Sequence, residues 1–285
     1  MKLLVFMFHR ILPTLHHDAI DVATFRREIE YLKENFTILT PAECREFILG
    51  INNEKFKRGK KFAAVTFDDG WLDNYFYATP VLREAGVQAM IAISASRLHD
   101  TPKRHESDCF DYIARPTEIV ESVDLQDALC NYCSREELAD MVDSGVWHIV
   151  AHGTDHMPGK LGHSLLSHPQ NGENTAQFAE FVRNDLSNCR KSLAELPGVI
   201  DDIFFWPWGH YSNLSSKIAS ECGYKIQFTV QKGNINFGDR RDVLPRIGVS
   251  SNWKKFRKNC FEFGNTFFSA VHDLFSKSKV CFDAK

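Results

Sequence analysis

The sequence has no stretch near the ~18 consecutive apolar residues that a membrane-spanning helix needs. An excess of either charge is also missing. The formal net charge is −3, which argues against a nucleic-acid partner and against general attraction to anionic membranes. Paired zinc-ribbon cysteines are absent. Of 8 Cys only Cys130 and Cys133 form a C-x-x-C, and no second pair follows at zinc-site spacing. The plain reading is buried or surface thiols in a reducing compartment; a redox or zinc role for that pair is the alternative. No internal repeat or low-complexity tract is visible. The N-terminus, Lys2 followed by the apolar run Leu3 to Phe8, briefly mimics a secretory signal. The run stops at His9, however, and no small-residue cleavage site follows. It reads better as a first buried strand, and the expected location is cytoplasmic.

What is present is ordinary for a globular enzyme. The chain has 285 residues, 44% hydrophobic and 25% charged, enough for one α/β barrel-sized unit or two smaller domains. Phe is abundant at 23 residues, which suggests that several line an exposed groove, with core packing as the default for any one of them. Short apolar runs at Leu3–Phe8, Phe62–Phe67, Val87–Ser94, Trp147–Ala151, Phe204–Trp206, Ile226–Val230 and Leu244–Val249 read as strands. Helical patterns alternate with them: Thr24–Glu34, a helix opened by Thr40-Pro41, one through Pro80 to Ala85 closed by Gly86, Ser134–Asp143 with a Ser134/Glu137 capping box, Phe178–Leu196 and Ser215–Cys222. This alternation predicts a parallel sheet, open or closed into a barrel. The polar stretch 96–131 is too long for an ordinary connection and is expected to be either a functional loop or an insertion over the site. After Trp253 a helical tail is predicted, with Phe256, Cys260 and Phe263 on one stripe.

In parallel-sheet proteins, active sites gather at the carboxyl ends of the strands. Reading those ends gives His9, Asp68 and Asp69, His152 and His156, and the run Pro207-Trp208-Gly209-His210. Asp, His and His form the ligand set of a catalytic zinc-like ion with an open position. The H-x-x-x-H spacing alone is weak: with 12 His in 285 residues, chance gives about 0.5 such pairs. Geometry separates the two pairs that occur. His148 and His152 lie along one strand, about 13 Å apart. Past the strand end Gly153 lets the chain turn, and a helical turn would bring His156 to about 6 Å from His152. The bland readings are a satisfied core histidine for His152 and a helix N-cap with a solvated neighbour for Asp68-Asp69-Gly70. In the functional reading one carboxylate binds the ion and the other accepts a proton from its water.

Thr66-Phe67-Asp68-Asp69-Gly70 resembles the first motif of the polysaccharide deacetylases of NodB type, and His152-Gly153-Thr154-Asp155-His156 resembles their second. Phe205-Trp206-Pro207-Trp208-Gly209 looks like a variant of the third motif. Phe8-His9-Arg10-Ile11, the Phe25 to Leu32 helix and Leu244-Pro245-Arg246-Ile247 resemble the branch containing poly-N-acetylglucosamine deacetylases, in which the barrel is circularly permuted. The resemblance runs from about Leu3 to Val249. It implies a single-domain, distorted (β/α)7-type barrel over residues 1–250, followed by a C-terminal helical tail at 251–285. It implies Asp69, His152 and His156 as ligands to Zn²⁺ or another divalent ion such as Co²⁺, Ni²⁺ or Mn²⁺. Asp68 would be the general base, oriented by Arg246, and His9 the acid that protonates the leaving amine. The backbone N–H of Trp208 would face the oxyanion, with Pro207 and Trp206 beside the substrate. Three positions depart from the pattern: Phe205 stands where Arg is common, Trp208 where Tyr is common, and Gly153 where Ser or Thr is usual.

The expected activity is hydrolysis of an N-acetyl group from an amino sugar of a polysaccharide or its nucleotide- or lipid-linked precursor; a lipid-linked substrate would bring the protein to a membrane. Removal of formyl groups or O-acetyl esters on the same scaffold is the second enzyme reading. A non-catalytic sugar-binding barrel is the reading from another class, but it needs neither a base nor an acid.

Overall fold

The computed structural model describes residues 1–14, 16, 18–108, 124–156, 163–170 and 172–265. Each apolar run becomes a stave of one sheet. β1 (Lys2–Phe8), β2 (Lys61–Phe67), β3 (Ala89–Ile93), β4 (Trp147–Ala151), β5 (Val199–Phe205) and β6 (Ile226–Phe228) pair in parallel in that order. A broken seventh stave nearly closes the circle. β7 (Val243–Leu244) pairs with β6, and β8 (Ile247–Gly248) pairs with β1. The single strand expected over 244–249 is therefore two short ones, interrupted at Pro245-Arg246. Proline has no N–H to give a ladder, and Arg246 N–H bonds instead to the carbonyl of Gln231 at 3.0 Å.

The helices follow their caps. α1 (Val22–Asn35) starts where the Asp21 side chain accepts the N–H of Thr24, and α2 (Pro41–Leu49) carries a Thr40/Glu43 capping box. α3 (Thr79–Ala85) follows a π-helical turn, Asn74–Ala78, and ends at left-handed Gly86. α4 (Arg135–Asp143) has the Ser134/Glu137 box expected of it. α5 (Thr175–Leu193) starts earlier than the apolar pattern suggests, because Asn174 and Gln177 form a box of their own. α6 (Asn213–Glu221) precedes β6, and α7 (Trp253–Gly264) packs Phe256, Cys260 and Phe263 into the core as its stripe predicts. After β6 the short strand Ile235–Asn236 runs antiparallel to β1 where a regular barrel would have a helix. No helix among the described residues is long and apolar enough to cross a membrane.

Strand alternation divides the core in two. Leu3 and Val5, Phe62 and Ala64, Met90 and Ala92, Val150, Ile203 and Phe205, and Leu244 fill the barrel interior. Phe47, Phe56 and Phe62 meet edge to face or tilted at its amino end, with ring centroids 5.3 to 5.7 Å apart. The intervening residues, among them Leu4, Val65, Phe67, Ile91, Ile149 and Phe204, face the helices. The abundance of Phe is thus a packing property. Phe261 is the one exposed phenylalanine among the described residues, which corrects the expectation of a Phe-lined groove.

One buried group works against the fold. Glu28 of α1 is fully buried, and neither carboxyl oxygen has a hydrogen-bond partner among the described residues. Burial, aided by the charge of Asp21, pushes its pKa from 4.5 up to about 8. Between those values the folded chain keeps a proton that the unfolded chain releases, so stability falls as pH rises through this window. Glu28→Gln is expected to stabilise the protein at pH 7.5 by on the order of 1–3 kcal/mol in denaturant melts, with the gain shrinking towards pH 4.5. A gain independent of pH across that range would contradict the assignment.

Candidate metal centre and active site

The site grows from the end of β2. Asp68 keeps the strand's register, its N–H bonding to the carbonyl of Phe8 at 3.1 Å, so its side chain continues the interior series Phe62, Ala64. The chain then breaks. Asp69 adopts φ 77° and Gly70 φ 75°. Left-handed backbone at a non-glycine residue costs about 1–3 kcal/mol and persists only where surrounding bonds hold it. They do so here: Trp71 Nε1 donates to Asp69 Oδ2 at 3.0 Å, and Arg97 Nη1 donates to Oδ1 at 3.1 Å. The left-handed backbone favours glycine at Gly70, and a Cβ there would also push on the tip of the Ile93 side chain, 2.6 Å away.

At the end of β4 the same alternation points His152 inward with Val150. Its Nδ1 lies 2.8 Å from the carbonyl of Phe205; a carbonyl only accepts, so Nδ1 carries a proton and Nε2 is the nitrogen left to face an ion. That Nε2 is 3.6 Å from Asp69 Oδ1. Gly153, at φ 83°, turns the chain, and His156 returns with Nε2 3.3 Å from the same oxygen. One ligand atom from each of Asp69, His152 and His156 lies within 4.8 Å of the other two, and all three residues are buried. The donor set suits a divalent ion. Burial holds the His156 imidazole well below its ordinary pKa and therefore neutral, although Asp69 pulls the other way. For Asp69, burial pushes the carboxyl upward, but His156, Arg97 and the bond to His152 together hold it well below the usual carboxylate range.

Asp68 has a separate partner. Arg246, from the break between β7 and β8, grips it through Nη1–Oδ1 at 2.6 Å and Nη2–Oδ2 at 2.8 Å. The guanidinium is fully buried, lies 4.1 Å from the ring centre of Phe205 and donates through Nε to the carbonyl of Thr229. Burial raises the Asp68 pKa, but Arg246, then His152, outweigh it and leave the carboxyl below its ordinary value.

A cavity of about 370 Å³ opens over these groups, lined by His9, Asp68, Asp69, His152, His156 and Trp208 among others. His9 stands half-exposed at the edge, its Nε2 4.0 Å from Asp69 Oδ2. The next residue anchors it: Arg10 is buried, bonds through Nε to Asp73 at 2.9 Å and lies over the Trp71 ring. Trp208, left-handed at φ 59°, stacks on His156 at 5.3 Å and donates Nε1 to its carbonyl. Trp206 does not reach the cavity, which corrects its assignment beside the substrate. Interior Phe205 leaves its neighbour facing the helices, where Trp206 is fully buried and donates Nε1 to Gln227. Pro207 is buried behind Trp208 and lines no part of the cavity. Phe204 and Phe205 are likewise core residues.

The model of the family described as polysaccharide deacetylase matches residues 55–227. The chain belongs to the polysaccharide deacetylase family. It is thereby a hydrolase of amide C–N bonds. It is 23% identical over 250 residues to the Bacillus subtilis (strain 168) protein YxkH, covering 87% of this chain and 72% of that one. It is 22% identical over 244 residues to the poly-beta-1,6-N-acetyl-D-glucosamine N-deacetylase of Escherichia coli O157:H7, covering 82% of this chain and 34% of that protein. The chain therefore spans about a third of the length of this Escherichia coli relative. Among solved structures it resembles a de-N-acetylase from Aggregatibacter actinomycetemcomitans, with TM-score 0.72 and 18% identity over 90% of this chain and 99% of the other. It also resembles IcaB from Ammonifex degensii, with TM-score 0.68 and 21% identity over 90% and 94%.

Several residues of this deacetylase-family site escape sequence reading. Arg97 lies just past the end of β3, so the strand-end rule reaches it, yet it falls within a loop with no legible pattern. Asp185 lies inside α5 and carries no local signal. Its carboxylate accepts the N–H groups of Thr154 at 2.9 Å and Asp155 at 3.2 Å, holding the loop that presents His156. A Cβ on Gly153 would come 3.3 Å from that carboxylate, a tight fit for the Ser or Thr common at this position. Both described ends of the 96–131 segment meet Tyr132, the residue just after it: Arg97 lies 4.2 Å over its ring and Ala128 clusters with it and with Trp71, whose ring is 4.7 Å away; residues 109–123 lie outside the described residues. The C-x-x-C thiols turn to different carbonyls, Cys130 to Asp127 and Cys133 to Trp71, and neither is in a disulfide.

Removing one partner of a buried ion pair strands the other charge. Arg246→Met is expected to cost about 3–5 kcal/mol in urea denaturation, and Asp68→Asn in that background to recover part of the loss. A cost below about 1 kcal/mol, the range of an exposed pair, would show that the pair does not carry this load.

Proposed function

We propose that the chain is a metal-dependent N-deacetylase acting on an N-acetylated amino sugar of a polysaccharide or its nucleotide- or lipid-linked precursor. The observation that carries this reading is the convergence of Asp69, His152 and His156 beside a second, separately clamped carboxylate on the floor of one cavity. A divalent ion held by those three side chains supplies Lewis acidity, which can bring the pKa of a water to about 7. Asp68, ionised and aimed by Arg246, takes a proton from the attacking water. The water oxygen adds to the acetyl carbonyl carbon. The backbone N–H of Trp208 donates to the developing oxyanion. As the C–N bond breaks, His9 gives its proton to the departing amine, and acetate and a free amino sugar leave. A sugar-binding module would have no use for a buried, fully paired base at the cavity floor, which favours catalysis over simple binding. Arg97 on Asp69 and Ala128 beside Trp71, from the two described ends of the 96–131 segment, support a role for that segment in shaping specificity.

The recombinant protein supplied with Zn²⁺ or Co²⁺ is expected to release acetate from an N-acetylhexosamine conjugate. Asp68→Asn should lower kcat by about 10²–10⁴-fold while bound metal remains unchanged. Undiminished release in that variant would remove Asp68 from the role of base.

A further inference from the structure

A second and larger cleft, about 770 Å³, lies on the other side of the barrel wall from the catalytic cavity. The wall between them is the stretch after β6. Val230 lines the catalytic cavity, whereas its neighbours Thr229 and Gln231 line the cleft. Thr229 Oγ1 also donates to the carbonyl of Gly209 at 2.7 Å, tying this wall to the residue after Trp208.

The cleft is basic although the chain as a whole is slightly acidic. Lys217, Lys232, Arg240 and Arg241 line it, against the single acid Asp242. Arg241 is neutralised by Asp239 through Nη2 at 2.7 Å. Lys217 and Arg240 are exposed and make no ion pair or hydrogen bond among the described residues. Lys232 is half-buried, with Asn259 Oδ1 at 3.4 Å as a neutral partner. Burial lowers its pKa, and Lys255 and Lys258 of α7 lower it further, with Glu262 opposing them. With Arg241 paired, three lining cations, Lys217, Lys232 and Arg240, stand against one lining carboxylate, and this excess of positive charge in a concave site favours an anion. The cleft volume falls in the range of small-molecule sites and exceeds what a diphosphate group alone would fill.

We propose that this cleft binds the phosphate or diphosphate group of the carbohydrate substrate, so that a sugar phosphoester is preferred over a neutral glycan. This rests on the N-deacetylase reading for the sugar end of the ligand. The sugar occupies the catalytic cavity, its phosphoester passes the rim formed by residues 229–231, and Lys217, Lys232 and Arg240 receive the charge. Concavity favours such a discrete ligand over a flat anionic membrane.

Two measurements on the full chain separate the possibilities. In calorimetry, inorganic pyrophosphate is expected to bind the wild-type protein, to bind less as salt rises, and to bind about tenfold or more weakly to a Lys217→Ala/Arg240→Ala variant. Lys217→Arg/Arg240→Lys, which keeps the charges, should retain binding and controls for folding. In acetate release, KM for UDP-N-acetylglucosamine should be about tenfold below that for a neutral N-acetylglucosamine oligomer, and the alanine pair should remove the advantage. No pyrophosphate binding, binding undiminished in the alanine pair, or equal KM values would overturn the proposal. So would binding to phosphatidylserine vesicles without binding to pyrophosphate, which would assign the charge to a membrane. Pyrophosphate binding that depends on Lys217 and Arg240 but comes with no acetate release from either sugar would uphold the anion cleft and refute the N-deacetylase reading instead.

Discussion

Two carboxylates adjacent in sequence cannot both be buried as anions at the mouth of a barrel unless each has its own counter-charge. Near a protein surface, unit charges 4 Å apart interact by about 4 kcal/mol, and desolvation adds to the cost. The site divides the burden. Asp68 is paid for by a bidentate arginine, whereas Asp69 faces Arg97, the indole N–H of Trp71 and two imidazoles. The two carboxylates therefore stand in different settings, one clamped by an arginine and the other facing two imidazoles, as the proposed division into base and ligand requires.

Other irregularities of the barrel follow from this division. The left-handed turn at Asp69 takes its carboxylate out of the alternation that Asp68 obeys, so that adjacent residues meet different partners. The seventh stave is interrupted where Arg246 must enter, and a regular ladder there would have no proline beside it. Phe205, where the family commonly has arginine, offers its ring face to the guanidinium of Arg246. The positive charge beside Asp68 thus comes from another stave. His152 is fixed by the carbonyl of that same Phe205, so one strand end touches both Arg246 and His152.

Much of this was legible in the sequence because its causes are local. Apolar runs gave the staves, caps gave the helix starts, and the motifs around Asp68-Asp69 and His152/His156 fall at strand ends where side chains converge. Arg246 was also within reach, since Leu244 and Arg246 share the inward parity. What escaped depends on contacts distant in the chain. Asp185 supports the His156 loop from the middle of a helix. The resemblance of the third motif puts Trp206 beside the substrate, but a short apolar run does not show which parity faces inward; Phe205 faces inward, so the next residue turns out to the helices. The Phe-rich composition could not reveal that Phe47, Phe56 and Phe62 meet at the amino end of the barrel, since they come from a helix, a loop and a strand.

The central claim is that Asp69, His152 and His156 hold one divalent ion. Metal analysis of protein dialysed against trace Zn²⁺ tests it most directly. The account predicts about one equivalent in the wild type and in Arg246→Met, and loss of that equivalent in Asp69→Ala and His152→Ala. Absence of stoichiometric metal from the wild type, or its full retention in both ligand variants, would contradict it.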